Sequence, residues 1–198
     1  MKTDTETGPK DIVEIVSIYR KALMKFLTAV AKWIDTLNEW VGRGVAWITL
    51  GLVLVVFADV VMRYLFNTSF VFTQELEWHL FAFIFLIGGG YTLLHDGHVR
   101  VDIIYQRLGF KGKAWVNLIG VILFLIPGCA MIITTSFKFA YTSFSIMEGS
   151  PDPGGIPFRF VLKGCITVGF ILLLLQGISL GLHSLLQILN VEKPEEAA

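Results

Sequence analysis

The sequence predicts an all-α integral membrane protein, with four transmembrane helices, both termini cytoplasmic, preceded by an N-terminal amphipathic interfacial helix. Three observations carry that prediction. Hydrophobic residues make up 55 % of the 198 and charged residues only 16 %, against about 25 % charged in an ordinary soluble domain. Four apolar stretches are long enough to cross a bilayer, and Lys and Arg fall on alternate connections between them. The net charge is zero and the mean hydropathy is +0.69. With 16 Phe and 5 Trp, the composition excludes a disordered chain and a nucleic-acid binder steered by a basic field. The two cysteines, Cys129 and Cys165, sit far apart inside apolar runs, which excludes a disulfide framework and a thiolate metal site.

Residues 1–10 form a polar tail, with no apolar core ending in a small-residue cleavage site as a signal peptide would have. Residues 11–43 follow a helical period. Ile12, Ile15, Val16, Tyr19, Ala22, Leu23, Phe26, Leu27, Val30, Trp33, Ile34, Leu37, Trp40 and Val41 recur at steps of three and four, with Asp11, Glu14, Arg20, Lys21, Lys25, Lys32, Asp35 and Glu39 between them. A helix of about 45 Å with one apolar, Trp-bearing face and a basic flank belongs in the membrane interface, against phospholipid headgroups. Residues 44–190 hold the four-helix transmembrane domain, with spans expected at 45–65, 75–94, 114–135 and 158–189. Pro127 with Gly128 predicts a kink in the third span, and the fourth exceeds the bilayer thickness, so it tilts or projects. Gly177 and Gly181 form a GxxxG surface extended by Ser184, and Gly88, Gly89 and Gly90 thin the second span. The outer connection carries Pro151, Pro153, Gly154, Gly155 and Pro157, a pattern of tight turns. Residues 191–198 are a short acidic cytoplasmic tail.

Orientation follows from basic residues alone. The N-terminal segment carries seven, from Lys2 to Arg43, and the second connection carries Arg100, Arg107, Lys111 and Lys113. The first connection, 66–74, carries none, and the third has Lys138 and Arg159 only at its edges. Both termini are therefore expected inside.

Ionisable residues inside spans are costly and are normally paired or functional. Asp59 and Arg63 stand one helical turn apart near the outer end of the first span, and Glu75 and Glu77 open the second at a similar depth. Arg63 can pair with Asp59 or with Glu75. The simplest role is a structural clamp between helix ends, because a proton or coupling-ion path needs a longer relay of carboxylates. At the inner end stand His95, Asp96, His98, Arg100 and Asp102, whose spacing matches no closed zinc motif. They suit a charged helix end at the interface. His183 lies at comparable depth, so His95 or His98 with His183 offers an alternative: a membrane anchor of a respiratory enzyme, its b-type haem held by two imidazoles. No nucleophile with a neighbouring base, phosphate loop or catalytic carboxylate pair is present, so no enzymatic activity is expected.

The order of motifs resembles a known family. Val61-Met-Arg63-Tyr64-Leu-Phe66 closes the first span, Gln74-Glu75-Leu-Glu77-Trp78 opens the second, and His98-Val-Arg100-Val-Asp102 follows it. With Asp152-Pro-Gly-Gly-Ile-Pro157 and Arg159, this resembles the small membrane (Q) subunit of tripartite ATP-independent periplasmic (TRAP) transporters, across about 45–189. The resemblance implies a bacterial inner-membrane scaffold, without cofactor or metal, beside a large multi-spanning subunit of elevator type. That partner would import organic acids such as carboxylates on a sodium gradient, with a periplasmic substrate-binding protein delivering them. On the same basis Arg63, Glu75, Glu77, Trp78, Arg100 and Asp102, joined by Asp59, form the clamp or the partner interface.

Overall fold

A computed structural model describes residues 9–97 and 105–190. Every regular element among them is helical: α1 Pro9–Leu65, α2 Val71–Ile87, α3 Gly89–Leu94, α4 Phe110–Gly120, a π-helical turn Val121–Leu125, α5 Ile126–Ser145 and α6 Arg159–Ile188. Arg100 and Asp102, singled out above, lie outside the described residues, as does His98.

Three helical rods are long and apolar enough to cross a membrane: Ser17–Leu65, Phe110–Ser145 and Arg159–Ile188. The second predicted span is divided into 17-residue and 6-residue helices meeting at Gly88. Gly88 donates its N–H to Ile84 O at 2.9 Å, and a β-carbon there would stand 2.6 Å from that same oxygen. The tight turn therefore accepts glycine and little else.

The predicted amphipathic helix and first span form one 57-residue helix with no break near residue 43. Gly42 does not interrupt it, because its bare backbone receives the Tyr91 ring of α3, whose atoms lie 2.0–2.7 Å from where a β-carbon would be. That contact outweighs the roughly 1 kcal/mol helix penalty of glycine. α1 turns Ala31, Asn38, Val45 and Asp59 inward, a seven-residue series packing on α2, α3 and α6. Val45 meets Ile87 and Cys165 in the apolar core, with Phe83 and Leu172 against it.

The tightest seam joins α4, the π turn and α5 to α6. Ala114, Val121, Cys129, Ser136 and Ser143 are its buried residues, at intervals of seven, eight, seven and seven. Seven-residue spacing is the repeat of a left-handed helix pair. The single extra residue falls in the π turn, where Ile126 N–H reaches back five residues to Val121 O. Pro127, which has no N–H to continue an α-helical ladder, follows immediately. Beside Pro127 and Gly128, where a kink was expected, the chain carries a register correction that keeps α4 and α5 on one seam. Opposite, a β-carbon at Gly177 would meet Leu125 Cδ2 at 2.3 Å, and one at Gly181 would meet Val121 Cγ1 at 3.4 Å. The GxxxG surface therefore serves packing within this chain.

Candidate functional site

Two polar clusters hold the bundle, one at each end. At the end carrying the 146–158 loop, α1 contributes Asp59 and Arg63, which pair with each other across one turn. Asp59 is buried while Arg63 is half exposed, so the carboxylate sits under its own guanidinium. Glu75, one turn into α2, is also buried, at 5 % exposure, and it belongs to the loop. Its Oε1 accepts the Ser150 hydroxyl, and its Oε2 accepts the Ile156 N–H at 2.5 Å. Of the two pairings open in the sequence, Arg63 takes Asp59.

The loop is shaped to make that contact. Ser150 N–H bonds to Ile156 O at 3.0 Å and Gly155 N–H to Asp152 O at 3.0 Å, which folds Pro151–Gly155 back on itself. Gly154 has φ +82°, a left-handed conformation open to glycine. Gly155 must also lack a side chain, because a β-carbon would lie 2.6 Å from Glu75 Oε2. Glu148 closes the other side of the loop, accepting the Ser143 hydroxyl at 2.6 Å and the Lys163 ammonium. The Lys163 ammonium, followed by the Ser143 hydroxyl, holds the Glu148 carboxyl below the usual glutamate range. Arg159 lies over the Trp78 ring at 5.7 Å, a cation–π contact between the start of α6 and α2. His79 donates from Nδ1 to Glu75 O at 2.6 Å, while buried Glu77 Oε1 and His79 Nε2 have no hydrogen-bond partner among the described residues.

The cluster at the opposite end was not anticipated. Asp35 and Asn38 of α1 turn onto α6. Asp35 Oδ1 accepts Gln176 Nε2 at 2.8 Å and the Ser179 hydroxyl at 2.6 Å, and its Oδ2 faces His183 Nε2 at 2.9 Å. Asn38 Nδ2 donates to Gln176 Oε1 at 2.9 Å, and Gly90 of α3 packs so closely that a β-carbon would sit 2.2 Å from Asn38 Oδ1. Nearby, Glu39 bonds Arg43 at 2.9 Å and His95 at 2.7 Å, and His95 packs on Tyr91 at 4.4 Å.

These arrangements tie helices together. Each accepting carboxylate is occupied by donors from another element or from its own helix. Among the described residues no group of three His, Cys, Asp or Glu side chains is placed to hold a metal ion. The haem alternative is not favoured: the Nε2 atoms of His183 and His95 both face carboxylates, those of Asp35 and Glu39.

Comparison with known proteins agrees with the sequence motifs. Residues 52–186 match the family described as tripartite ATP-independent periplasmic transporters, DctQ component. A protein of Haemophilus influenzae, named as a TRAP transporter small permease protein, is 29 % identical over 116 residues, covering 57 % of this chain and 71 % of that protein. No solved structure matches.

Proposed function

The chain belongs to the DctQ-component family of tripartite ATP-independent periplasmic transporters, and from that premise we propose that it is the static scaffold of its transporter. It is the small permease subunit. In the bacterial inner membrane it anchors a large, elevator-type subunit that imports organic acids, carboxylates among them, on a sodium gradient. A periplasmic substrate-binding protein delivers the solute. The chain crosses the membrane four times with both termini inside, α2 and α3 together making the second crossing. The 146–158 loop and the Asp59, Arg63, Glu75, Glu77 and Trp78 cluster lie at the periplasmic end, where they serve as inter-helix clamp or partner interface. Arg100 and Asp102 serve in the same way at the cytoplasmic end. The stretch 11–43 continues α1 on the inner side of the membrane, with Lys21, Lys25 and Lys32 available to phospholipid headgroups.

One observation carries this reading: the two polar clusters bond helix to helix and helix to loop. Asp35, Asn38, Gln176, Ser179 and His183 bond among themselves, and Glu75 bonds to the loop. A carrier needs polar groups free to exchange between solute and water, whereas a scaffold needs them fixed. The test is purification of the tagged chain from its native membrane in mild detergent. Recovery of a larger multi-spanning subunit supports the reading, and solute uptake by vesicles containing this chain alone would refute it.

A further inference from the structure

The turn between α4 and α5 deprives backbone carbonyls of their helix partners. Ile126 donates its N–H to Val121 O, five residues back, whereas a regular α-helix would give it to Ile122 O. In the wider π ladder the next donor, for Ile122 O, would be residue 127. That residue is Pro127, which has no N–H. Ile122 O therefore loses one donor to the turn and the other to the proline. Leu123 O, four residues before Pro127, loses its α-helical donor in the same way. The side chains of this helix do not make up the deficit. Between Asn117 and Thr134 it carries no hydroxyl or amide. Asn117 takes the Tyr105 hydroxyl at 3.2 Å, and Thr134 bonds back to Ala130 O and Met131 O.

Helix carbonyls point along the axis towards the next turn, so Ile122 O lies beside Ile126. That is the outward side. Ile119, Ile122, Leu123 and Ile126 fall on one stripe, all exposed, with Phe124 beside them at 76 %. The buried Val121 and Cys129 lie on the seam with α6. Along the third span, Ile122 stands about 12 Å from residue 114 and about 20 Å from residue 135.

We propose that a membrane helix of the larger subunit packs on this stripe and donates a side-chain hydroxyl or amide hydrogen to Ile122 O. The inference rests on the scaffold reading above and adds the helix through which the scaffold holds its partner. Within hydrocarbon a backbone carbonyl has to be satisfied by protein, and a proline in a membrane helix is accommodated where a neighbouring helix meets the group it frees. Ser, Thr, Asn and Gln make such bonds between membrane helices. Acyl chains carry no donor, and headgroup donors lie beyond the ends of the span. A second copy of this chain in two-fold contact would bring up the same stripe, which offers only Ile, Leu and Phe side chains.

The experiment weakens the acceptor and leaves every side chain in place. Replacing Leu123 by its α-hydroxy acid turns the 122–123 peptide into an ester, whose carbonyl accepts hydrogen bonds poorly. The same replacement at Phe137, exposed on the regular part of α5, is the control for the N–H that each ester removes. Melting temperatures of the two chains purified alone check that both fold. The expected result is recovery of the larger subunit in mild detergent about two- to tenfold lower for the ester at 123 than for that at 137. A photoreactive phenylalanine analogue in place of Phe124, on the natural backbone, should cross-link to the larger subunit in a peptide that carries a hydroxyl or amide side chain. Equal recovery with the two esters overturns the proposal, as does a cross-link to lipid alone or a product of twice the 22.1 kDa chain mass. If the wild-type chain recovers no larger subunit, it is the scaffold reading that falls.

Discussion

Asp35 and Glu39 stand one turn apart on α1 and look equivalent in the sequence, yet the structure assigns them different weights. Asp35→Leu removes the acceptor of three donors, Gln176 Nε2, Ser179 Oγ and His183 Nε2. An enclosed donor left without a partner costs about 1–3 kcal/mol, so the ceiling is roughly 9 kcal/mol. Two donors have partial recourse. Ser179 can still reach Ala31 O at 3.3 Å, and His183 is partly exposed, whereas the Asn38 bond satisfies only the Gln176 oxygen. The lower half of the range, about 3–5 kcal/mol, is therefore expected. For a chain of this size each kcal/mol moves the melting temperature by about 2–4 °C, giving a drop of roughly 6–20 °C. Asp35→Asn keeps an oxygen for Gln176 and Ser179 and falls between the two. Glu39→Leu breaks contacts to Arg43 and His95 that are largely exposed, and its effect should be much smaller. The assay is a thermal melt of each purified variant in one detergent. Equal shifts for Asp35→Leu and Glu39→Leu would refute the argument that α1 is clamped to α6 through Asp35.

The remaining predictions concern packing and the outer loop. Gly169→Ala puts a β-carbon 2.4 Å from Leu86 O, a backbone atom of α2 that cannot move alone, and should cost about 1–3 kcal/mol or more in the same melt. Gly128→Ala meets nothing within 4 Å and should be neutral or stabilising by up to about 1 kcal/mol. Glu148, whose carboxyl is held below its ordinary range by Lys163 and Ser143, stabilises the 146–158 loop fully above the unfolded glutamate value of about 4.3. That contribution is lost as pH falls through the lower folded value. Protease cleavage of the loop in sealed, outward-facing vesicles should therefore rise below about pH 4, with an acid-stable protease as probe. In Glu148→Gln the cleavage should already be raised at neutral pH, with its acid-dependent rise much reduced.

Much of this was legible in the sequence, and the rest was hidden for identifiable reasons. Apolar length anticipated the three long rods, and α1 ends at Leu65 where the first span was expected to end. The one-turn spacing of Asp59 and Arg63 made their pairing one of two that the sequence left open, and the structure has it. What the sequence did not disclose was the use of Glu75, because its partners Ser150 and Ile156 are 75 and 81 residues away. Asp35 and Asn38 were missed because a polar residue opposite an apolar stripe reads as solvated, yet here that side packs on α6. The available signal was the series Ala31, Asn38, Val45, Asp59, which is too mixed in polarity to register as a face. The eight-residue step between Val121 and Cys129 had a local marker in Pro127, which indicated a kink but not its register consequence.

As a static scaffold, this chain should not move while its transporter works. In a chain with Cys129 and Cys165 replaced by alanine, Ser136→Cys with Thr167→Cys would lock α5 to α6, since the two hydroxyl oxygens are 2.9 Å apart in the native pair. The most direct measurement is sodium-driven uptake by the reconstituted transporter, before and after oxidation of that pair and again after reduction. A static scaffold predicts the same rate in all three states. A rate that falls on oxidation and returns on reduction would contradict it.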